Sequence, residues 1–365
     1  MKKIIAKTSN RKYSIYLGNG IFKHATRLIN RIKDAEKILL VSNDKIDAIY
    51  HEPVVEMLKS LGLKYSIHLI DDGEKYKNIA SCQQIYNQLL EQNFHRNDIV
   101  VAFGGGVIGD LAGFAAATYH RGLKLIQYPS TIISQVDSSI GGKVAVNYQK
   151  VKNIIGTFYQ PHMVIMDSRL LSTLKPGEIL NGLGEVIKYG IVFDRKILQS
   201  LDNIITGPDS LKKAVESNRF MEIIYRCAKI KAQVVAVDEY DTGYRNLLNF
   251  GHTVGHALEK ASGLTLINHG KAVSLGMLAA LDISISLGYM ETEVKKQIVN
   301  LYNKIGLPLK IEGLDIETIM GAVGYDKKFT GKKNKFILLK GINKPFFYYG
   351  LKKDIIINNI KKNMG

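Results

Sequence analysis

The sequence predicts an α/β N-terminal domain over residues 1–170, followed by a mainly α-helical C-terminal domain over residues 171–365. Three observations carry that division. Short apolar runs alternate with segments of helical period through the first half, the rhythm of a Rossmann-like parallel sheet with helices on both faces. From about Leu170 the period changes to long stretches at helical spacing. No Gly/Ser-rich linker or internal repeat interrupts the chain, so the boundary is a change of period and not a tether.

The elements follow in order. YSIYLG reads as a strand, and KILLVSND as a short buried strand leading into a helix that runs through about Leu61. KYSIHLID is the next strand, followed by a helix over about 78–92. DIVVAFGGG is a strand running into glycines, and LKLIQYPST and HMVIMDS are further short apolar runs. Helical period then dominates residues 177–192, 211–237, 247–262, 271–287 and 291–305, and KFILLKGINKPFFYY reads as a small hairpin.

Composition narrows the function. The chain has 365 residues and 46% hydrophobic content, enough for a full core and suited to two domains. No apolar run spans a bilayer, and MKKIIAKTSNRKYS turns polar too early for a signal peptide, which predicts a soluble cytoplasmic protein without a membrane partner. The two cysteines, Cys82 and Cys227, lack motif spacing, against both a disulfide framework and a thiolate metal site. The net charge of +17 favours anionic partners. The lysines are nevertheless scattered and no nucleic-acid motif is present, which leaves phosphate and carboxylate groups as the expected ligands and excludes a nucleic-acid module.

Four segments point to chemistry. GGGVIGD follows an apolar strand, and Gly104, Gly106 and Gly109 match the dinucleotide spacing. Glycines there let backbone approach a pyrophosphate at the positive end of the next helix. The strand-end acid, Asp44, precedes the glycines where the usual fingerprint has it follow, which disfavours a conventional dehydrogenase but not a nucleotide site. In PSTIISQVDSSIGGKVAVN and the residues after it, Lys143, Lys152 and Asn153 suit an anion-binding loop. GLGEVIKYG sets Glu185 and Lys188 three apart, ordinarily a surface pair, yet flanked here by Val186, Ile187 and Ile191, and a buried carboxylate needs a cation or a metal. In RNLLNFGHTVGHALEKASGLTLINH, Arg245, Asn249, His252 and His256 fall at offsets of zero, four, seven and eleven, which places all four on one stripe of a helix. That stripe is a poor core face and a good wall for a metal and an oxygen-rich anion. Spacing alone nominates His252 and His256 as the ligand pair, with His269 arriving after a short loop.

Taken together, GGGVIGDLAGFAAATYHRG, QVDSSIGGK, VKNIIGTF, GEVIKYG, RNLLNFGHTVGHALE and HGKAVSLGM, in that order, resemble the 3-dehydroquinate synthase family of sugar phosphate cyclases over nearly the whole chain. The resemblance implies a dehydroquinate synthase-like fold, with an NAD-binding α/β domain and a helical metal- and substrate-binding domain. It implies zinc, with cobalt as a substitute, held by Glu185, His252 and His269, and thus moves His256 from ligand to the phosphate and proton handling. By the same matching Asp44, Glu74, Lys77, Gly105, Gly106, Asp110, Ser130, Thr131, Lys143, Lys152 and Thr173 would bind NAD. Asp137, Lys143, Asn153, Lys188, Lys231, Arg245, Asn249 and His256 would line the substrate, joined by a late lysine, Lys327 or Lys328. Arg121, in YHRG, would reach a neighbouring subunit's site, which implies a homodimer.

The implied reaction converts 3-deoxy-D-arabino-heptulosonate 7-phosphate, a sugar-acid phosphate, into 3-dehydroquinate and phosphate. Its course would be transient oxidation by NAD, β-elimination of phosphate, reduction, ring opening and intramolecular aldol closure, a step toward aromatic amino acids. Departures from the family pattern are GGKVAVN for GGKTGVN, FYQP for FHQP and a glycine before Glu185. None removes a ligand or a charged contact. Another sugar phosphate cyclase would keep zinc and NAD but lack a substrate carboxylate, for which Arg245 and Asn249 are retained. A metal-dependent polyol dehydrogenase would release NADH stoichiometrically.

Overall fold

The protein is described by a computed structural model, which covers residues 1–9, 11–149, 151–263, 267–324 and 334–365. Two compact units emerge: Met1–Leu174 with Cys227–Tyr240, and Lys175–Arg226 with Asp241–Gly365. The segment 227–240 belongs to the first unit although it lies beyond residue 170, because one long helix carries the chain across the division.

The first unit is built on a seven-stranded sheet. Its strands are β1 (Lys2–Lys7), β2 (Lys12–Gly18), β3 (Lys37–Asn43), β4 (Lys64–Ile70), β5 (Ile99–Gly104), β6 (Lys124–Pro129) and, after a separate hairpin of β7 (Lys143–Tyr148) and β8 (Val151–Phe158), β9 (Met163–Asp167). The order is β1-β2-β9-β6-β5-β3-β4, with β1 antiparallel to β2 and the remaining pairs parallel. Alternate side chains of each strand face opposite layers. Ile38, Leu40, Val101, Phe103 and Ile126 pack beneath α1 (Phe22–Ile29) and α2 (Asp44–Lys59). Leu39, Val41, Val100, Ala102 and Leu125 pack beneath α3 (Ile79–Glu91) and α4 (Gly106–Thr118). That two-sided burial is why these strands read as continuous apolar runs and not as alternating ones. Asn43 and Asn78 cap the helices that follow β3 and β4, their side chains accepting from Ile46 N and Ser81 N at 2.9 and 3.0 Å.

Two structures here lie outside the sequence expectations. β1 pairs along an edge of the sheet, and the stretch expected as an anion-binding loop is a π-helical turn (Ser134–Ser138) leading into the β7–β8 hairpin.

The second unit is helical. Its elements are α5 (Pro176–Val192), α6 (Arg195–Ile204), α7 (Leu211–Val215), the start of α8 (Asn218–Val237), α9 (His252–Ala261), α10 (His269–Ser286), α11 (Thr292–Ile305), α12 (Ile316–Gly324), the hairpin β10 (Lys335–Leu339) and β11 (Pro345–Tyr349), and α13 (Lys353–Lys361). The expected helix over 211–237 breaks because the Ser217 hydroxyl accepts from Phe220 N at 3.1 Å and so caps a new start. α10 is buried from Ala272 through Ser284 and forms the axis of the unit. Leu339 N donates to Ser284 Oγ at 3.1 Å, tying the hairpin to it.

The expected single helix over 247–262 is also broken, and this correction shapes the site. Arg245 and Asn249 lie in a 3-10 turn (Tyr244–Asn249), whereas His252 begins α9. Gly251 between them has φ +79°, a left-handed conformation that glycine adopts without strain. A Cβ there would also stand 2.6 Å from Met277 Cγ and 2.7 Å from Met277 N. The four-residue stripe drawn on one helix is therefore two stripes set at a bend. Among the described residues no helix is long and apolar enough to cross a membrane.

Candidate active site

In the second unit, α5 and α10 meet with almost no side chain between them. A Cβ on Gly270 would stand 1.9 Å from Asn181 O, and one on Gly184 would stand 2.5 Å from Gly270 O. Asn181 Oδ1 accepts from Gly270 N at 2.6 Å and locks the approach. The consequence is that His269, at the first position of α10, comes up against Glu185 on α5, 84 residues earlier in the chain.

Glu185 is 1% exposed. Its Oε2 accepts from Lys188, which is 2% exposed, so the three-residue spacing is a buried ion pair and not a surface one. Its Oε1 accepts no hydrogen bond. Facing that oxygen are His269 Nε2 at 3.3 Å and His252 Nε2 at 3.5 Å. A buried carboxylate oxygen without a donor is costly unless a cation meets it. Two donors each about 2.0–2.1 Å from a tetrahedral ion lie about 3.3 Å apart, so the observed spacing suits a zinc-sized ion. Among the described residues, Glu185, His252 and His269 offer donor atoms all within 4.8 Å of one another.

The protonation of the cluster is set by its neighbours. Burial alone would push Glu185 up, yet Lys188 and the two imidazoles hold it below the ordinary carboxylate range. Burial and the Lys188 charge hold His252 well below the usual imidazole value, which keeps it neutral and able to ligate. Burial opposes charge on His269 too, but the carboxylates of Glu185 and Glu259 on either side of the ring raise it to about 9.

In the first unit, the residues expected at a nucleotide gather where the parallel strands end. Asp44 follows β3, Glu74 and Lys77 follow β4, and Gly105, Gly106 and Asp110 follow β5. Ser130 and Thr131 follow β6, and Thr173 closes the turn after β9. In an open parallel sheet, ligands bind outside the carboxyl ends of strands where the order reverses, here between β3 and β5. Gly105 caps α4, whose first turn carries no acidic residue, so its positive end is free to face phosphate. Lys152 stands on β8 instead, exposed.

A polar network ties these ends together. Lys77, 5% exposed, donates to Asp110 Oδ2 and Asn153 Oδ1, each at 2.5 Å. Asn147 Nδ2 donates to Glu74 Oε1 at 2.8 Å, and Asn153 N to Asn147 Oδ1 at 2.9 Å. Burial pushes the Asp110 carboxyl up to about 6 against the pull of Lys77. Lys231, on the part of α8 that belongs to this unit, donates to Asp137 Oδ1 at 2.6 Å.

Profiles of known families account for most of this chain. That of the 3-dehydroquinate synthase N-terminal domain matches residues 67–181, and that of its C-terminal domain matches residues 182–329. The chain belongs to the 3-dehydroquinate synthase family. A 3-dehydroquinate synthase of Clostridium tetani is 39% identical over all of this chain and 95% of its own length. One of Rippkaea orientalis is 39% identical over 97% of this chain and 96% of its own. Among solved structures, a 2-deoxy-scyllo-inosose synthase complexed with carbaglucose-6-phosphate, NAD+ and Co2+ is 26% identical, with a TM-score of 0.88 and full coverage of both chains. The 2-epi-5-epi-valiolone synthase of Streptomyces hygroscopicus, with NAD+ and Zn2+ bound, shares the fold with a TM-score of 0.88 at 20% identity over 98% of each chain. A probable glycerol dehydrogenase from Sinorhizobium meliloti shares it more loosely, with a TM-score of 0.63 at 13% identity over 95% of each chain.

The remaining expected residues of this family site fall as follows. Arg245 is buried, Asn249 half-buried, and His256 exposed on the same helix as His252, with ring centroids 5.2 Å apart. Lys143 opens β7 and is exposed. Arg121 is exposed on a turn where His120 and Arg121 have φ of 49° and 60°. Lys327 and Lys328 lie outside the described residues. One residue escaped the sequence expectations: Glu259, whose Oε2 stands 3.4 Å from His269 Nδ1. Its signal was present, since His252, His256 and Glu259 fall at offsets of zero, four and seven on one helical face.

Proposed function

We propose that this chain converts 3-deoxy-D-arabino-heptulosonate 7-phosphate into 3-dehydroquinate and phosphate with the help of NAD and one divalent metal, zinc or cobalt. Family membership supports the reaction, and the related cyclase that holds NAD+ and Co2+ supports the cofactors. The single observation that carries the metal is the buried Oε1 of Glu185, aimed at two imidazole nitrogens and accepting no hydrogen bond.

We assign the metal to Glu185, His252 and His269, and NAD to the strand ends of the first unit. The metal, when bound, would supply Lewis-acid polarisation of a substrate oxygen. NAD would supply a hydride acceptor that is regenerated within each turnover.

The chain's own side chains do the rest. Lys188 neutralises the carboxylate oxygen turned away from the imidazoles, so Glu185 stays ionised although buried. Arg245 presents a planar fork suited to the substrate carboxylate, with Asn249 beside it in the same turn. Losing such a buried partner should weaken binding by about 2–5 kcal/mol. His256 and Asn153 would hold the phosphate, which itself can take the proton in elimination. Lys143, Lys231 and the late lysine, Lys327 or Lys328, would place positive charge on the substrate oxygens, with Asp137 orienting Lys231. The same reading gives a homodimer in which Arg121 serves the partner subunit.

The test is phosphate release from the heptulosonate while absorbance at the nicotinamide wavelength is followed, with and without a chelator. We expect phosphate without net NADH, loss of turnover on chelation, and recovery with zinc or cobalt. Net accumulation of NADH, or turnover that ignores the chelator, would reject the reading.

A further inference from the structure

The two imidazoles of the metal cluster are held on the same plan by different groups. His252 turns Nε2 toward Glu185 Oε1, and its Nδ1 stands 3.2 Å from the carbonyl oxygen of Phe250. His269 also turns Nε2 toward Glu185 Oε1, and its Nδ1 stands 3.4 Å from Glu259 Oε2. A neutral imidazole has one N–H and one lone pair. An acceptor placed against Nδ1 keeps the proton there, so each ring offers its Nε2 lone pair to the same point in space. A backbone carbonyl and a carboxylate both set this tautomer, but only the carboxylate adds negative charge behind the ring and makes it a stronger donor to a cation.

We propose that Glu259 is a positioning residue for the metal: it fixes the orientation and tautomer of His269 and strengthens that ligand's hold on the ion. The inference rests on the metal site proposed above. Three features carry it beyond proximity. Glu259 is 9% exposed, so its carboxylate is withdrawn from solvent. It lies two turns along α9 from His252, and α9 packs so closely on α10 that a Cβ on Gly255 would stand 3.1 Å from Ala272 O and Val273 Cα. That packing brings the carboxylate to the base of His269, an imidazole at a helix start whose side chain is 33% exposed against 12% for His252, and which therefore has more freedom to turn. Glu259 also shares a cluster with His256 and His269, with donor atoms within 4.8 Å. This second set is a poor separate ion site, because the Nδ1 that faces Glu259 carries the proton when Nε2 ligates.

The test uses the full chain and four proteins: unaltered, Glu259→Gln, Glu259→Ala and Glu185→Gln. Each is freed of metal and titrated with Co2+ against a competing chelator, with the visible bands of bound cobalt and the melting temperature of the metal-free chain recorded. Glu259→Gln keeps the volume and an acceptor oxygen but drops the charge. We expect cobalt affinity to fall about 10–100-fold, with shifted cobalt bands and little change in metal-free melting. Glu259→Ala should fall at least as far, and its bands should broaden as the ring loses its anchor. Unchanged affinity and bands in Glu259→Gln, with affinity lost in Glu185→Gln, would overturn this inference alone. Two ions per chain, one of them lost in Glu259→Gln, would also overturn it, since Glu259 would then be a ligand. Unchanged affinity in Glu185→Gln would bring down the metal site and this inference together.

Discussion

The two polar clusters are built on opposite electrostatic plans. At the strand ends of the first unit, the buried charges are matched within the protein: Lys77 lies against Asp110 and Asn153, and Lys231 against Asp137. At the cluster on α5, α9 and α10, one carboxylate oxygen is matched by Lys188 and the other faces two imidazole nitrogens. The first plan suits a ligand that is held by hydrogen bonds and backbone, as a nucleotide is. The second is completed by a cation, because a desolvated carboxylate oxygen between two imidazole nitrogens is met only by a proton on a ring or by a metal. On the assignment proposed above, charge pairing, and not merely charge, separates the nucleotide site from the metal site.

Removing the unmatched oxygen should have the largest effect. Glu185→Gln keeps the shape but removes the negative charge that the ion needs, and it leaves Lys188 without a charged partner. We expect metal content to drop well below one per chain and kcat/KM to fall about 10³-fold, several kcal/mol of lost transition-state stabilisation. Metal content measured on the purified variant decides the matter, and a full complement would erase the contrast between the clusters.

An intermediate effect is expected at the matched cluster. Lys77→Ala strips Asp110 of its cation in a setting that already raises its pKa to about 6. The sign follows from that direction: a carboxyl raised on folding takes up a proton, so its ionised form is penalised as pH rises through about 6. The variant should thus lose about 2–3 kcal/mol at pH 8 and distinctly less at pH 5, where protonation relieves the unpaired charge. Denaturant melts at the two pH values would show it, and a loss independent of pH would mean that Lys77 acts through packing.

The smallest effect is expected outside both clusters. Arg11 donates to His162 Nδ1 at 3.1 Å, and burial together with the Arg11 and Lys124 charges depresses His162 to about 4. A histidine depressed on folding contributes stability that is present above its unfolded value of about 6.5 and is lost as pH falls through about 4. His162→Gln should flatten that acid limb, by about 2 kcal/mol at pH 5, while leaving turnover near neutrality unchanged. A variant with the same acid limb would locate the acid sensitivity in one of the two clusters.

Much of this was legible from residue order. The apolar runs located the parallel strands because burial on both faces leaves no polar position to blur them, as in KILLVSN and IVVAFG. The edge strand β1 was not legible, since its exposed positions alternate with only two buried ones, Ile4 and Ala6. The π-helical turn at Ser134–Ser138 was not legible either, because its composition is that of a polar loop. Glu185 and Lys188 announced themselves by apolar neighbours, though spacing alone could not tell a buried pair from a surface one. His256 shows the limit of spacing. It stands on the same helical face as His252, but the ring that meets Glu185 Oε1 beside His252 is His269, from a different helix.

By itself, residue order determined the two periods of the chain, the glycine turn after β5 and the inventory of donors: a carboxylate, three imidazoles, and the lysines and arginine around them. Those are local properties, set by which side chains an element must bury and which backbone angles a glycine allows. Spacing left open which donors converge; the family resemblance named them, and tertiary structure supplies the physical reason. Gly251 bends a would-be continuous helix, Gly184 and Gly270 let α5 and α10 touch backbone to backbone, and Glu259 comes to rest behind His269. Coordination needs atoms a few ångströms apart from segments far apart in the chain, and only close packing between helices can supply that.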